Sequence, residues 1–190
     1  MNNIGRRLLT AILVLGIVPA CGGFARSDGA PPPEESTLAA VVARSPIIVV
    51  ASIASQAGTR NVAKDSEDIT KEHPVAVVLV QDYVLNVEEV LKGALSSGSA
   101  IAIVKARGTK VAVSDAHDFI PFKVGGRYVL FLRPIPEDGV VVPAGEPGRF
   151  AVRDSQVSPE SNSPQVIANF PTESLSTFLQ KVRELAGALR

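Results

Sequence analysis

The apolar and polar positions divide the chain into an apolar leader, a spacer and a β-rich body closed by a helix. Leu8 to Val18 is apolar, broken only by Thr10 and Gly16. It is too short to span a bilayer, which takes roughly 20 apolar residues. Gly22 to Glu35 combines Gly22, Gly23 and Gly29 with the stiff run Pro31-Pro32-Pro33 and has almost nothing to bury, so it reads as a flexible tether. Ser36 is placed to cap a short helix over Thr37 to Arg44, with Leu38, Val41 and Val42 on one face and Ser45-Pro46 as its stop.

The body is written mainly in short extended runs. Ile47 to Ser55 opens on Ile47-Ile48-Val49-Val50, the continuous β-branched pattern of a buried strand. Ala57 to Pro74 is a long polar loop carrying Lys64, Asp65, Glu67, Asp68, Lys71 and Glu72. Val75 to Leu91 is the longest extended segment, apolar to Val80 and alternating from Tyr83, and its length predicts a bend. Lys92-Gly93 ends it. Ser99 to Ala106, Val111 to Val113 and Arg127 to Arg133 follow as strands, the last after the turn Lys123-Val124-Gly125-Gly126. Val140 to Val142 and Arg149 to Val152 read as a final pair around Gly145 and Gly148. Val87 and Leu130 are placed in the core. Glu88 and Glu89 point to opposite faces of their strand and form no dyad. Pro171-Thr172 opens a C-terminal helix, with Thr172 as N-cap, Glu173 near the positive end of the dipole, and Leu175, Phe178, Leu179, Val182, Leu185 and Leu189 as its apolar stripe. Short strands between Gly, Pro and Asp turns predict a small barrel or sandwich with this helix packed on it.

The leader changes the picture from fold to location. Asn2 to Arg7 is polar and carries Arg6 and Arg7, the apolar run follows, and Pro19-Ala20-Cys21 ends it. This is the layout of a secretory signal peptide over residues 1–20. Val18-Pro19-Ala20-Cys21 resembles the lipobox of bacterial lipoprotein precursors. The resemblance implies cleavage between Ala20 and Cys21, acylation of the Cys21 thiol by a palmitate-type chain, and a protein held in the cell membrane or outer membrane. Val18 and Ala20 match the pattern, while Pro19 stands where Ser, Thr, Ala or Val is usual. Cys21 is the only cysteine, and an exported chain with one unpaired thiol is accounted for by a thioether. A single lipid chain binds marginally and two or more hold stably. An ordinary secretory signal cut after Ala20 or Ala25 stays open as the alternative. The layout is then signal peptide 1–20, lipidated cysteine and tether 21–35, and one domain over 36–190.

Composition removes several classes of function. Nineteen cations balance nineteen anions, tryptophan is absent and aromatics are 5%. That argues against a nucleic-acid partner, a polybasic membrane surface and a base- or sugar-stacking platform. One cysteine leaves no internal disulfide and no cysteine-based zinc or redox site. No cofactor is called for.

Three segments together carry a second resemblance: Ser45 to Ala51, Tyr83 to Gly93 and Gly125 to Leu132. In this order they look like the netrin-like and tissue-inhibitor-of-metalloproteinase-like domains, over about Ser45 to Pro159. The resemblance implies an OB-like Greek-key β-barrel, here with a short N-terminal helix and a packed C-terminal helix. The animal inhibitors chelate a protease zinc through a free N-terminal cysteine amine held by disulfides. Here Gly22 to Ser45 separate Cys21 from the barrel and no disulfide is available, so those residues do not carry over.

The search for chemistry ends at the histidines. His73 precedes Pro74 in the polar loop. His117 lies in Ser114-Asp115-Ala116-His117-Asp118, where Asp115, His117 and Asp118 are the candidates for a cation site or an oriented base, and equally suit a solvated turn. No phosphate loop, calcium loop or nucleophile elbow is present. The expected role is binding or interaction at the cell envelope, with an envelope protein as the possible partner and the membrane reached through the lipid. A protease inhibitor of the metalloproteinase-inhibitor type and an envelope enzyme using His117 with Asp115 or Asp118 are the alternatives.

Overall fold

A computed structural model of the chain describes residues 37–188 apart from 69, 117 and 118. The signal peptide, the tether, Ala20, Cys21, Ser36 and Leu189 lie outside the described residues.

The protein is mainly β. Helix α1 (Leu38–Arg44) is capped one residue later than its sequence indicates: the Thr37 hydroxyl accepts from the Ala40 N–H at 3.2 Å. It stops at Ser45, whose hydroxyl donates to the Val41 carbonyl at 2.7 Å. Strand β1 (Ile47–Asn61) then runs beyond Ser55, because its polar half pairs with β2 (Ala76–Lys92) as far as Asn61 opposite Leu79. The polar loop is correspondingly shorter. The anticipated bending is present: the β1–β2 register shifts at four places, and β2 shifts once against β3 (Ala100–Thr109) between Leu79 and Val80. Each shift adds twist and turns the ribbon.

Strand β4 (Ala112–Asp115) pairs with β3. Strand β5 (Arg127–Ile135) pairs along one edge with the first half of β1. Its other edge takes β6 (Val140–Pro143) and β7 (Arg149–Arg153). The expected pairing of β6 with β7 is therefore incorrect. They follow one another along β5, separated by residues 144–148, which bulge out between Leu132↔Pro143 and Leu130↔Arg149. β6 also meets β3 in parallel, at Ala100↔Val140 and Ile101↔Val141. A strand that the sequence pattern does not predict, β8 (Gln156–Pro159), forms a hairpin with β7 through Asp154 and Ser155, both at positive φ, as a type I′ turn demands. A short helix α2 (Pro164–Asn169) follows, capped by Ser163. Glu173–Ser174 is a two-residue strand β9 on β8, and helix α3 spans Leu175–Ala188. Thr172 is thus not its cap: the Ser174 hydroxyl accepts from the Thr177 N–H at 3.2 Å.

Two apolar clusters explain why the β1 sequence is continuous. Val49, Ala51 and Ile53 pack with Leu85, Ile101, Leu130 and Leu132 on one side of the sheet. Ile48 and Val50 face the other way, into Phe131, Phe150, α1 and α3. Phe131, Phe150, Phe170 and Phe178 meet there in tilted and edge-to-face contacts 4.8–6.3 Å apart. Leu130 is fully buried, whereas Val87 is only half-buried. Glu88 and Glu89 do point apart: one pairs with Arg127 on β5 at 2.7 Å, the other with Arg183 on α3 at 2.6 Å.

Candidate functional site

The parallel contact between β3 and β6 lasts two residues, and the two strands then part. Among the described residues, β3 has no strand partner on that side again until Ala106 meets Asp115 on β4, just after the Lys105 carbonyl accepts from the Ala116 N–H at 2.8 Å. β6 continues to Pro143 paired, among the described residues, with β5. The opening is a groove of about 630 Å³. Its apolar wall includes Ala102, Ile103 and Val104 from β3 and Val142 and Pro143 from β6, with Phe119 and Ile120 from the segment before β5.

Charge enters the groove in a specific place. Arg149 opens β7 with only 7% of its surface exposed. Its Nε lies 3.6 Å from Glu160 Oε2, and its guanidinium carbon lies 4.8 Å from the ring centre of Phe122. Arg153 reaches the other Glu160 oxygen at 3.4 Å. Phe122 stands edge-on to Tyr83 and to Tyr128, with ring centres 5.3 and 5.0 Å away. The Tyr128 hydroxyl accepts from the Lys123 N–H at 3.0 Å. Arg149 and Glu160 thus sit beside an aromatic wall with little water. Among the described residues, Arg149 Nη1 and Glu160 Oε2 are buried without a hydrogen-bond partner, as are Arg60 Nη2 and Asp82 Oδ1 in a second ion pair that does not line the groove.

The electrostatics follow from burial. Desolvation pulls the Arg149 guanidinium below its usual range, and the Glu160 charge and the two tyrosines oppose this. Desolvation pushes the Glu160 carboxyl up, against the charges of Arg149 and Arg153. For both partners burial outweighs attraction. At the rim Glu146 accepts from the Ser161 hydroxyl through its side chain, and from the Arg44 guanidinium, at 2.5 Å, through its carbonyl. Arg107, Arg133, Asp115 and Glu146 are the exposed charges of the lining.

Asp115 therefore belongs to the groove, at the exposed end of β4, while His117 and Asp118 lie outside the described residues. His73 acts on the backbone beside it. Its Nδ1 accepts from the N–H groups of Val75 and Ala76, at 3.1 and 2.8 Å, and so starts β2. Among the described residues no three His, Cys, Asp or Glu side chains group as a metal site, and no helix is long and apolar enough to cross a membrane. Sequence reasoning misses Arg149 and Glu160. Arg149 alternates with Phe150 and so looks like the solvent face of its strand; nothing nearby in sequence signals that both faces are covered.

No family model, curated protein or solved structure matches the chain.

Proposed function

We propose that the chain is an exported lipoprotein, anchored through Cys21, whose OB-type barrel offers the β3–β6 groove as a binding site for a partner in the cell envelope. The barrel reading is supported by the strand pairings, which lead from β1 through β2, β3, β6 and β5 and back to β1, with β3 and β6 parallel. An OB barrel is built from five strands in a Greek-key path. The anchor reading is supported by the basic start, the short apolar run and the lone cysteine after Ala20.

The observation that carries the binding role is the Arg149–Glu160 pair. A buried donor and a buried acceptor without partners are costly to keep, and the two residues that carry them line the groove. Each charge faces the other, which suits recognition better than proton transfer.

The test uses the full-length chain in an exporting bacterial host. Labelled palmitate enters the wild type and not Cys21→Ser; an unlabelled wild type removes the anchor. A photo-reactive residue at Val104 or Ile120 gives adducts with an envelope component, whereas one at Ile167, exposed on α2, gives none. Adducts from all three positions, or from none, overturn the binding role.

A further inference from the structure

We propose that the groove holds an extended, uncharged peptide segment of a partner protein, laid as an added strand along β3, with the N–H and C=O of one of its residues read by Arg149 and Glu160. This rests on the binding role argued above and names its ligand.

The backbone makes the first argument. Ala102, Ile103 and Val104 pair with β2 on one side and, among the described residues, with no strand on the other. An edge of this kind presents N–H and C=O groups to a further strand, and strand addition is a recurring way to bind peptides. Across the opening, Val142 and Pro143 pair, among the described residues, with β5. Pro143 has no N–H to donate, so the added strand takes its bonds from β3 rather than β6.

The orphaned atoms make the second argument. Arg149 Nη1 can only donate and Glu160 Oε2, ionised, can only accept. In an extended peptide the N–H and C=O of one residue point to the same side, offer one donor and one acceptor, and meet both. A carboxylate or phosphate would satisfy Arg149 but bring a negative charge against Glu160, and an ammonium would do the reverse against Arg149. The rest of the lining is also balanced among the described residues: Arg107, Arg133 and Arg149 stand against Asp115, Glu146 and Glu160. Such a groove has no net field to draw a polyanion.

Side chains make the third. Residues of an added strand point alternately to its two faces, and Ile103 and Val104, at successive positions of β3, offer apolar contact one on each face, with Phe119 and Ile120 also lining the groove. The groove's volume of about 630 Å³ suits a segment of a few residues, since sites for drug-sized ligands span roughly 300–1,000 Å³.

The experiment presents the full-length lipidated protein in detergent with an array of acetylated, amidated peptides composed of uncharged residues, and with polyphosphate and a maltooligosaccharide. A subset of the peptides binds saturably, and the other two probes do not. Replacing a single central amide N–H of the best peptide by N-methyl weakens it on the order of tenfold, the worth of one hydrogen bond. The change is made in the ligand, so the fold of the protein is untouched. Binding indifferent to N-methylation at every position overturns strand addition, and saturable binding of polyphosphate or the sugar overturns the ligand class. If no peptide binds while the groove positions still crosslink, the peptide is wrong and the binding role stands. If neither is seen, both fall.

Discussion

Arg149 and Glu160 stand 3.6 Å apart, Nε to Oε2, in surroundings that disfavour the charged form of each. The attraction between them offsets only part of what their lost hydration costs. A pair in this state is weak evidence for stability, yet removing Glu160 strands Arg149, while removing Arg149 leaves Glu160 with Arg153 alone. Keeping the shape and keeping the charge therefore have opposite consequences here, and they can be separated.

The first prediction is a double-mutant cycle read by chemical denaturation. Glu160→Leu alone costs about 3–5 kcal/mol, because Arg149 is left buried and unpaired, Arg149→Met alone costs less, because Glu160 keeps Arg153, and the double replacement is neutral or up to about 4 kcal/mol stabilising. The pH dependence has a fixed sign. The folded protein holds the Glu160 proton more tightly than the unfolded chain does, so the stability Glu160 contributes rises as pH falls through its raised value toward the ordinary carboxylate range. The difference between wild type and Glu160→Gln moves in favour of wild type over that interval. A difference moving the other way would mean that attraction, not burial, governs the pair.

The second prediction concerns alkali. The chain has only two tyrosines, and burial raises the phenol of both Tyr83 and Tyr128. Their contribution to stability is complete below the ordinary tyrosine value of about 10 and is lost as pH rises through the folded values. With tryptophan absent, tyrosinate absorbance is a clean readout. Both tyrosines ionise together with the loss of circular dichroism, in one cooperative step. A gradual titration that precedes unfolding rules out their burial.

How much of this is legible in the sequence depends on how locally each feature is decided. Ile47 to Val50 announces a strand covered on both faces because all its side chains are apolar and β-branched, and β1 does lie between the two clusters. The C-terminal stripe likewise announces α3, but not its start: pairing of Glu173 with Val157 takes the backbone that Thr172 would have capped. Val87 misleads for a related reason. β3 ends its pairing at Ala100 opposite Val84, so beyond that point the flank of β2 is covered only by the loop from which Ser97 accepts the Val87 N–H. The groove is the least legible part. It exists because β3 and β6 part after two residues, and nothing near Ile101 or Val141 in sequence says that they ever meet.

The third prediction separates the two core residues expected from sequence. Leu130 is fully enclosed among Val49, Leu85 and Ile101, so Leu130→Ala costs about 2–5 kcal/mol. Val87 keeps contact with water, and Val87→Ala costs under about 1.5 kcal/mol by the same transfer argument with part of the side chain already exposed. Denaturant midpoints at unchanged slope distinguish them. Equal losses would place Val87 inside the core after all.

The last prediction uses two glycines that share a backbone conformation and differ in surroundings. Gly93 and Gly98 both have positive φ, 73° and 89°. Side chains are disfavoured there by roughly 1–2 kcal/mol, which is all that Gly98→Ala should cost, because nothing lies within 4 Å of the added carbon. At Gly93 the same carbon would land on the Pro46 carbonyl oxygen and come within 3.3 Å of the Ile47 side chain. Pro46 leads directly into β1, whose next residues pair with both β2 and β5, so its carbonyl has little room to retreat. Gly93→Ala therefore adds a backbone clash to the conformational term and costs at least about 3 kcal/mol. The pair is compared by thermal and denaturant unfolding of the otherwise unchanged chain. If Gly93→Ala loses no more than Gly98→Ala, the close approach of the β2 turn to the start of β1 is not as described.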